Sequence, residues 1–524
     1  MKRKIIAFLA GIALITSMPS CTDLDENVYD KLPADQFGNT DVEVKALMGT
    51  TYNTLKTYWN EWFLQLSENG GSMAVTPTRR GGDWYDGGQY RELYMHAWTA
   101  QTQQIRGAWT AASTAIGTCN ATISVLENST LLTDAEKKVN VAAMRGVRAF
   151  WYYVMMDNWG NIPLVLSNQD RDLPAVKPRQ EVFEWLVKEV TEIAADCPDA
   201  SDANYGKFTK GAACTLLAKL YLNAEAWGVS VSGNACQLCI DACDKLFALG
   251  YYELAADWKD NFSYENPRPK EAILTACYSD QDTDDYYRLR IMNRTLHYAD
   301  NQSDGASYSA WNGIAAQPDY VKLFDPKDPR YAATFRTGQR YSLATGEVLM
   351  TGHAAPLNYT VDISFIEGTE RDGTPWGDVV QEAGARCQKW PYASNLSDAM
   401  NNHFHIFRLA DVKLMKAEAL LRSNGSTAEA TALVNEVRAR AYGNTTNNYT
   451  AVTLETIALE RKFELAWESW SRQDDIRFGT FAAGAWTASN CPRKADAYLK
   501  LYPISQDAWQ TNPKLTQNPG YPAF

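Results

Sequence analysis

What most constrains this chain is a helical period that returns along most of its length. Residues 134–157, DAEKKVNVAAMRGVRAFWYYVMMD, place Val139, Ala143, Val147, Phe150 and Val154 three or four positions apart, which sets them on one face of a helix. Residues 207–226 (KFTKGAACTLLAKLYLNAEA) repeat the pattern behind Thr209, a residue type suited to an N-cap. So do 408–422 (RLADVKLMKAEALLR), 427–442 (TAEATALVNEVRARAY, starting after Ser426) and 454–470 (LETIALERKFELAWESW). Amphipathic helices in short-looped pairs, rich in Ala and aromatics, predict a mostly α fold: a right-handed solenoid scaffold of tetratricopeptide-like helical pairs. The strict repeat signature of that class is absent, so the expectation rests on pairing alone. Trp151, Trp185 and Trp467 fall within these patterns and are read as core.

Between about 262 and 400 the period fades, and Gly, Asp, Asn, Thr and Tyr become frequent. A long irregular segment inside a helical body is usually functional. With 67–100 it forms the expected binding region. A length of 524 residues suggests several domains, yet no Ser/Gly/Pro linker divides the chain, and 39–524 is read as one domain.

The N-terminus, MKRKIIAFLAGIALITSMPSC, has a basic Lys2–Arg3–Lys4 start and an apolar run over 5–15. That run is too short to span a bilayer, so residues 1–20 are read as a secretory signal peptide. Small Ser20 followed by Cys21 resembles a lipoprotein cleavage site, with Cys21 the lipidated residue and 21–38 a tether. A plain secretion signal with an incidental Cys is the alternative. No later segment offers the ~18 apolar residues of a transmembrane helix, so membrane contact is expected through the lipid only. The net charge of −12 does not suit nucleic acid or anionic lipid as a partner. Setting Cys21 aside leaves an odd number of cysteines with no even framework. Cys236, Cys239 and Cys243 line one helical face; buried apolar cysteines explain the spacing as well as a metal site would.

Several blocks, taken in order, carry a resemblance. They are CTDLDENVYDKLPADQFGNTDVEVKALMGTTYNTL, AMRGVRAFWYYVMMDNWGNIPLV, FTKGAACTLLAKLYL, FRLADVKLMKAEALL, LVNEVRARA, ALERKFELAWESWSRQDDIRFG and LYPISQDAWQTNPKLTQNPGY. Together they resemble the SusD/RagB outer-membrane nutrient-binding lipoproteins over nearly the whole chain. The resemblance implies helical pairs carrying a loop-rich ligand face, no catalysis, and a place on the outer face of the outer membrane. The acidic TDLDEN behind Cys21 looks like an export tag to that face. It also implies two partners: an oligosaccharide or, in some members, a peptide, and a TonB-dependent outer-membrane transporter that receives it.

Against that background, residues 81–90, GGDWYDGGQY, preceded by Arg79 and Arg80, read as a recognition loop. The C–H face of a sugar packs on an aromatic ring, and its hydroxyl rim asks for carboxylates and guanidinium groups. Trp84 and Tyr85 are the stacking candidates; Arg79, Arg80, Asp83 and Asp86 are the polar ones. Glycines let the backbone turn and approach. The competing reading is that Trp84 and Tyr90 pin the loop to the helical body. Trp311, with Asn312 and Gly313 beside it, is a second candidate platform, and Tyr287, next to Tyr286 and Arg288, a weaker one.

Other motifs compete. Asp280, Asp282 and Asp284 imitate an EF-hand start, but the sixth position is Asp285 and the twelfth Ile291, which does not fit that loop. A looser structural calcium site on these carboxylates stays open, and no other cofactor is expected. His403 and His405 form H-x-H without a visible third ligand. With 62 Asp and Glu residues, carboxylate pairs alone cannot argue for a glycosidase. A glycoside hydrolase and a protein-binding helical scaffold therefore stand as alternatives from other classes.

Overall fold

The computed structural model describes residues 40–169, 172–308, 310–395, 398–481 and 493–524. The expected signal peptide, the expected lipidation site Cys21 and the expected tether lie outside the described residues. The first described helix, α1 (Asp41–Asn53), begins with a capping box in which Thr40 and Glu43 satisfy each other's backbone amides. Next come α2 (Gln103–Asn128), α3 (Asp134–Trp159), α4 (Arg179–Ala194), α5 (Lys210–Trp227) and α6 (Ala235–Phe247). From α2 to α6 each packs on the next. The mostly α expectation is met.

Details differ from the periodic reading. Helix α3 has a capping box at Thr133 and Glu136 and ends at Gly160, with φ 71°. Ala143, Val147, Phe150 and Val154 are buried as the pattern predicts, but Val139 is 38% exposed. The first two turns of α3 project past the core, and every side chain before Ala142 is exposed or half-buried. Thr209 has the extended backbone of an N-cap without a side-chain cap bond. Trp151 is fully buried, whereas Trp185 is half-buried and packs edge-on to Tyr152 at 5.0 Å. Cys239 and Cys243 are buried apolar residues on α6, and Cys236 is half-buried beside them.

After α6 the chain leaves the stack and returns to it at the same place. Helix α7 (Leu409–Arg422) packs on α6 although residues 248–408 intervene, and α8 (Thr427–Tyr442) and α9 (Leu454–Leu465) pack on α7. The irregular segment is thus an excursion from one continuous helical stack. Its two ends are tied by antiparallel strands β1 (Ala272–Ala276) and β2 (Phe404–Arg408), with Ala272 opposite Arg408 and Ala276 opposite Phe404. His403 and His405, at the start of this ribbon, both face the Tyr205 ring, at 5.9 and 6.3 Å. Burial holds His403 down at about 4 and His405 at about 3, so both rings are neutral.

A buried ionic network fixes this junction. Arg408, 1% exposed, bonds Glu271 at 2.8 Å and Glu464 and Glu468 at 2.7 Å. Arg330 of the excursion reaches Glu460 and Glu464 of α9 at 2.8 and 3.0 Å. Removing one member would strand a buried charge, which costs roughly 3–5 kcal/mol. The same network corrects the reading of 454–470 as one helix. Helix α9 stops at Leu465, and Trp467 and Ser469 take positive φ angles of 67° and 63°. The buried Lys389 ammonium binds the freed carbonyls of Glu464 (2.8 Å) and Ala466 (2.9 Å). The turn drives the Trp467 ring into the core, where it is fully buried.

Candidate functional site

The expected recognition loop is held by its own turns rather than hinged. Between 81 and 88, Gly81, Gly82, Trp84, Asp86, Gly87 and Gly88 have φ angles of 98°, 95°, 61°, 38°, 67° and 86°. Left-handed backbone is free for glycine and costly for Trp and Asp. Surrounding contacts must impose it, and they are present. Arg79 N donates to Asp83 O at 2.8 Å, and Gly82 N to Arg79 O at 2.8 Å. Arg80 N donates to Val379 O at 2.7 Å, and Val379 N to Thr78 O at 2.8 Å. The Asp378 carboxylate accepts from Gly81 N at 3.3 Å and is paired with Arg371 at 2.9 Å.

Arg79 and Asn312 are corrections to the sequence reading. Both side chains are fully buried, which takes them off the exposed loop face. The Arg79 guanidinium donates to the carbonyls of Asn312 (2.9 Å), Gly313 (2.7 Å) and Ala383 (2.7 Å). Burial, with Arg386 nearby, depresses its basicity. Asn312 Oδ1 accepts from Arg386 Nη2 at 3.0 Å, and Asn312 itself sits at φ 57°. Together they lock the 79–88 loop to the 311–313 turn from beneath.

Trp84 completes that lock from above. Its indole Nε1 donates to Trp311 O at 2.6 Å, and its ring lies 5.1 Å from Tyr90. The ring also covers Gly313 so closely that a Cβ there would stand 2.4 Å from Cε2 and Cζ2. Half-buried and saturated at its polar edge, Trp84 fits the pin better than the stacking platform. Trp311 is half-buried too, with the guanidinium carbons of Arg294 and Arg290 at 5.3 and 5.7 Å from its ring centroid. Arg294 pairs with Glu61 at 3.1 Å and Arg290 with Asp285 at 2.8 Å.

The exposed chemistry lies around this frame. Asp83 is exposed and accepts a hydrogen bond from the Tyr298 hydroxyl, whose ring is 38% exposed. Burial, then the bond to Asp83, raises the Tyr298 phenol above its usual range, so it is a donor at neutral pH. Tyr298 was not singled out by sequence: NRTLHYAD carries no motif, and only the excursion's path brings it to Asp83. Tyr85 is half-buried, donates to Asp372, and has the Arg371 guanidinium carbon 5.2 Å from its ring centroid. The bonds from Tyr85 and Arg91 hold the Asp372 carboxyl below its usual range. The exposed side chains of Arg80 and Asp86 make no hydrogen bond or ion pair among the described residues. Tyr287 is half-buried against the more exposed Tyr286, 5.4 Å away. The loop thus brings Trp84 to Trp311 and Asp83 to Tyr298, while Tyr85 turns to the 371–372 turn.

Three of the four carboxylates at 280–285 are spent on protein partners. Asp282 pairs with Lys56 at 2.8 Å, Asp284 accepts from Tyr286 N at 2.8 Å, and Asp285 is held by Arg290. Among the described residues no group of three or more His, Cys, Asp or Glu is placed to hold a metal, and no helix is long and apolar enough to cross a membrane.

Fold and site together define a class: a helical stack on which the 79–91 loop, inserted between α1 and α2, and the long excursion over 248–408 meet to present an aromatic and charged loop face. The sequence profile of the SusD family matches residues 252–521, more than half of the chain, and a second profile, described as "starch-binding associating with outer membrane", matches 24–222. The chain belongs to the SusD family. It is 25% identical to a SusD-like protein of Bacteroides ovatus, over 89% of this chain and 81% of the relative. It is 27% identical to the starch-binding protein SusD of Bacteroides thetaiotaomicron, over 84% of this chain and 82% of that one. Among solved structures, the surface glycan-binding protein A from Bacteroides thetaiotaomicron in complex with laminarihexaose shares the fold. Its TM-score is 0.71 at 19% identity, covering 91% of this chain and 99% of that one.

Proposed function

We propose that this protein is a non-catalytic, lipid-anchored binder of oligosaccharides on the outer face of the outer membrane, which passes its ligand to a TonB-dependent transporter. The observation that carries the reading is the exposed Tyr298–Asp83 pair beside Trp311 and Arg80, on a loop already locked in shape. A sugar needs an aromatic face and a rim of charged donors and acceptors, held without much ordering on binding. Relatives described as starch-binding, and a fold neighbour solved with laminarihexaose, support a glucan as the first ligand to try. A peptide ligand is the alternative that glycan binding would exclude.

A separate feature supports a protein partner. The hairpin over 338–359 leaves Tyr341, Leu343, Val348 and Met350 at 52, 68, 42 and 45% exposure. Apolar side chains grouped in this way mark interaction surfaces.

Calorimetric titration of residues 22–524 with starch and laminarin oligosaccharides tests the binding. Retention without new reducing ends is the expected result. Turnover abolished by one carboxylate substitution would replace the reading with a hydrolase. Tyr298→Ala and Trp311→Ala should each weaken glucan binding by roughly 1–3 kcal/mol. Affinity purification from outer membranes should recover a β-barrel partner, and Leu343→Asp should reduce that recovery; purification of the protein alone under several mild detergents counts against the transporter.

A further inference from the structure

We propose a second binding site, for a saccharide bearing carboxylate or sulfate groups, in a cleft on the far side of the 297–304 segment from the loop face. The cleft holds about 570 Å³ and joins a neighbour of about 370 Å³ through the shared walls Trp258, Lys259, Pro329 and Ala333. Such volumes suit small ligands, which occupy pockets of roughly 300–1,000 Å³.

The argument rests on what its walls offer. The apolar wall is Tyr331, Phe335 and the edge of Trp258. The polar side chains of the larger cleft are Lys259, Arg336, Thr337, Arg340, Gln388 and Lys389, and no carboxylate lines it. The carboxylates nearby stand behind this wall. Asp300 and Asp304 are taken up by Arg336 (3.1 and 3.0 Å) and Arg340 (3.0 Å to Asp300), and Glu468 by Lys389. Asp257 lines only the adjoining space and caps Lys259 N.

With those contacts made, the remaining capacity is almost wholly donor. Gln388 Oε1 is occupied by Arg336 Nε at 2.5 Å, which leaves the Gln388 amide N–H groups facing the cleft. Arg340 spends Nε on Asp300 and Nη2 on Ser303, leaving Nη1. The exposed Lys259 ammonium has no side-chain partner among the described residues. A neutral sugar hydroxyl can accept from these donors, but it brings a proton of its own that finds few acceptors here and no charge to meet the Lys259 and Arg340 cations. An acidic saccharide supplies the missing acceptors, as charge-assisted bonds, and its ring faces fit the aromatic wall. In a chain of net charge −12, a cleft whose walls carry only cationic and neutral side chains sets apart the one class of anion it would hold.

The test is titration calorimetry of residues 22–524 with oligomers of galacturonic acid, of sulfated galactan and of neutral galactan. Expected is binding of an anionic oligomer at least tenfold tighter than its neutral counterpart, weakening with ionic strength; which anionic series binds identifies carboxylate or sulfate. Gln388→Glu keeps the acceptor for Arg336 and replaces the free amide with a carboxylate oxygen. Lys259→Glu reverses an exposed charge that supports no other side chain. Each should weaken the anionic oligomer at least tenfold, with unchanged melting temperature and unchanged glucan binding at the loop face. Equal affinity for neutral and anionic oligomers, or anion binding that survives both substitutions, overturns the proposal. Loss of glucan and anionic oligomer together in folded Lys259→Glu would place the anion at the loop face and overturn it equally.

Discussion

Replacing Trp84 by Ala separates a ring that binds from a ring that holds. The indole N–H loses its 2.6 Å bond to Trp311 O, and the ring leaves a hole over Gly313 and beside Tyr90. A fully buried Trp→Ala change costs about 3–5 kcal/mol. The half-buried state of Trp84 reduces that share by about half, and the lost hydrogen bond returns about 1 kcal/mol. The expected destabilisation is therefore about 2.5–3.5 kcal/mol, read as a lower midpoint in urea at unchanged slope. Trp84→Phe should recover most of the packing and none of the hydrogen bond. Gly313→Ala should mimic the loss from the other side, because its methyl would occupy the indole's place and meet Arg294 O at 2.8 Å. Glucan affinity measured on folded Trp84→Ala should fall less than that of Tyr298→Ala. A tenfold or greater loss of affinity with an unchanged unfolding midpoint would refute the assignment and restore Trp84 as a stacking platform.

Arg79→Met should destabilise by roughly 3 kcal/mol or more, because three buried carbonyls lose their donor, and it should loosen the loop to proteolysis between 79 and 91; protection equal to wild type would contradict the lock. Glu68 is buried, with one oxygen accepting from Ser469 N at 2.5 Å and the other unpartnered, and burial raises its carboxyl to about 8. The folded state therefore keeps a proton that the unfolded chain releases near 4.5, so stability falls by a few kcal/mol as pH rises from about 4.5 to about 8. Glu68→Gln should flatten that slope in urea unfolding between pH 5 and 9; an identical slope would show that Glu68 is ionised in the fold. Arg408→Met, which removes one of the two or more cations that hold each of Glu271, Glu464 and Glu468, should cost roughly 3–5 kcal/mol and separate the excursion from the helical stack in hydrogen exchange.

Much of this architecture is legible in the sequence because helical burial is periodic and local. The positions of α3, α5, α7 and α8, their buried faces, and the start of α8 behind Ser426 follow from residues a few places apart. The irregular segment and the loop at 81–90 were also recognisable, as a loss of period and as a run of glycines around aromatic rings. What the chain alone could not decide is which groups remain available once contacts distant in sequence form. Arg79 reads as an exposed ligand donor until the carbonyls of Asn312, Gly313 and Ala383 enclose it. Trp84 reads as a platform until it meets Gly313. Tyr298 carries no local pattern, yet the return of the excursion sets it against Asp83. Helix α9 ends early because a buried lysine, far away in sequence, takes its last carbonyls. Periodicity fixes which face of an element is apolar; desolvation and hydrogen-bond satisfaction, which depend on every neighbour at once, decide which polar and aromatic groups are left to bind something else.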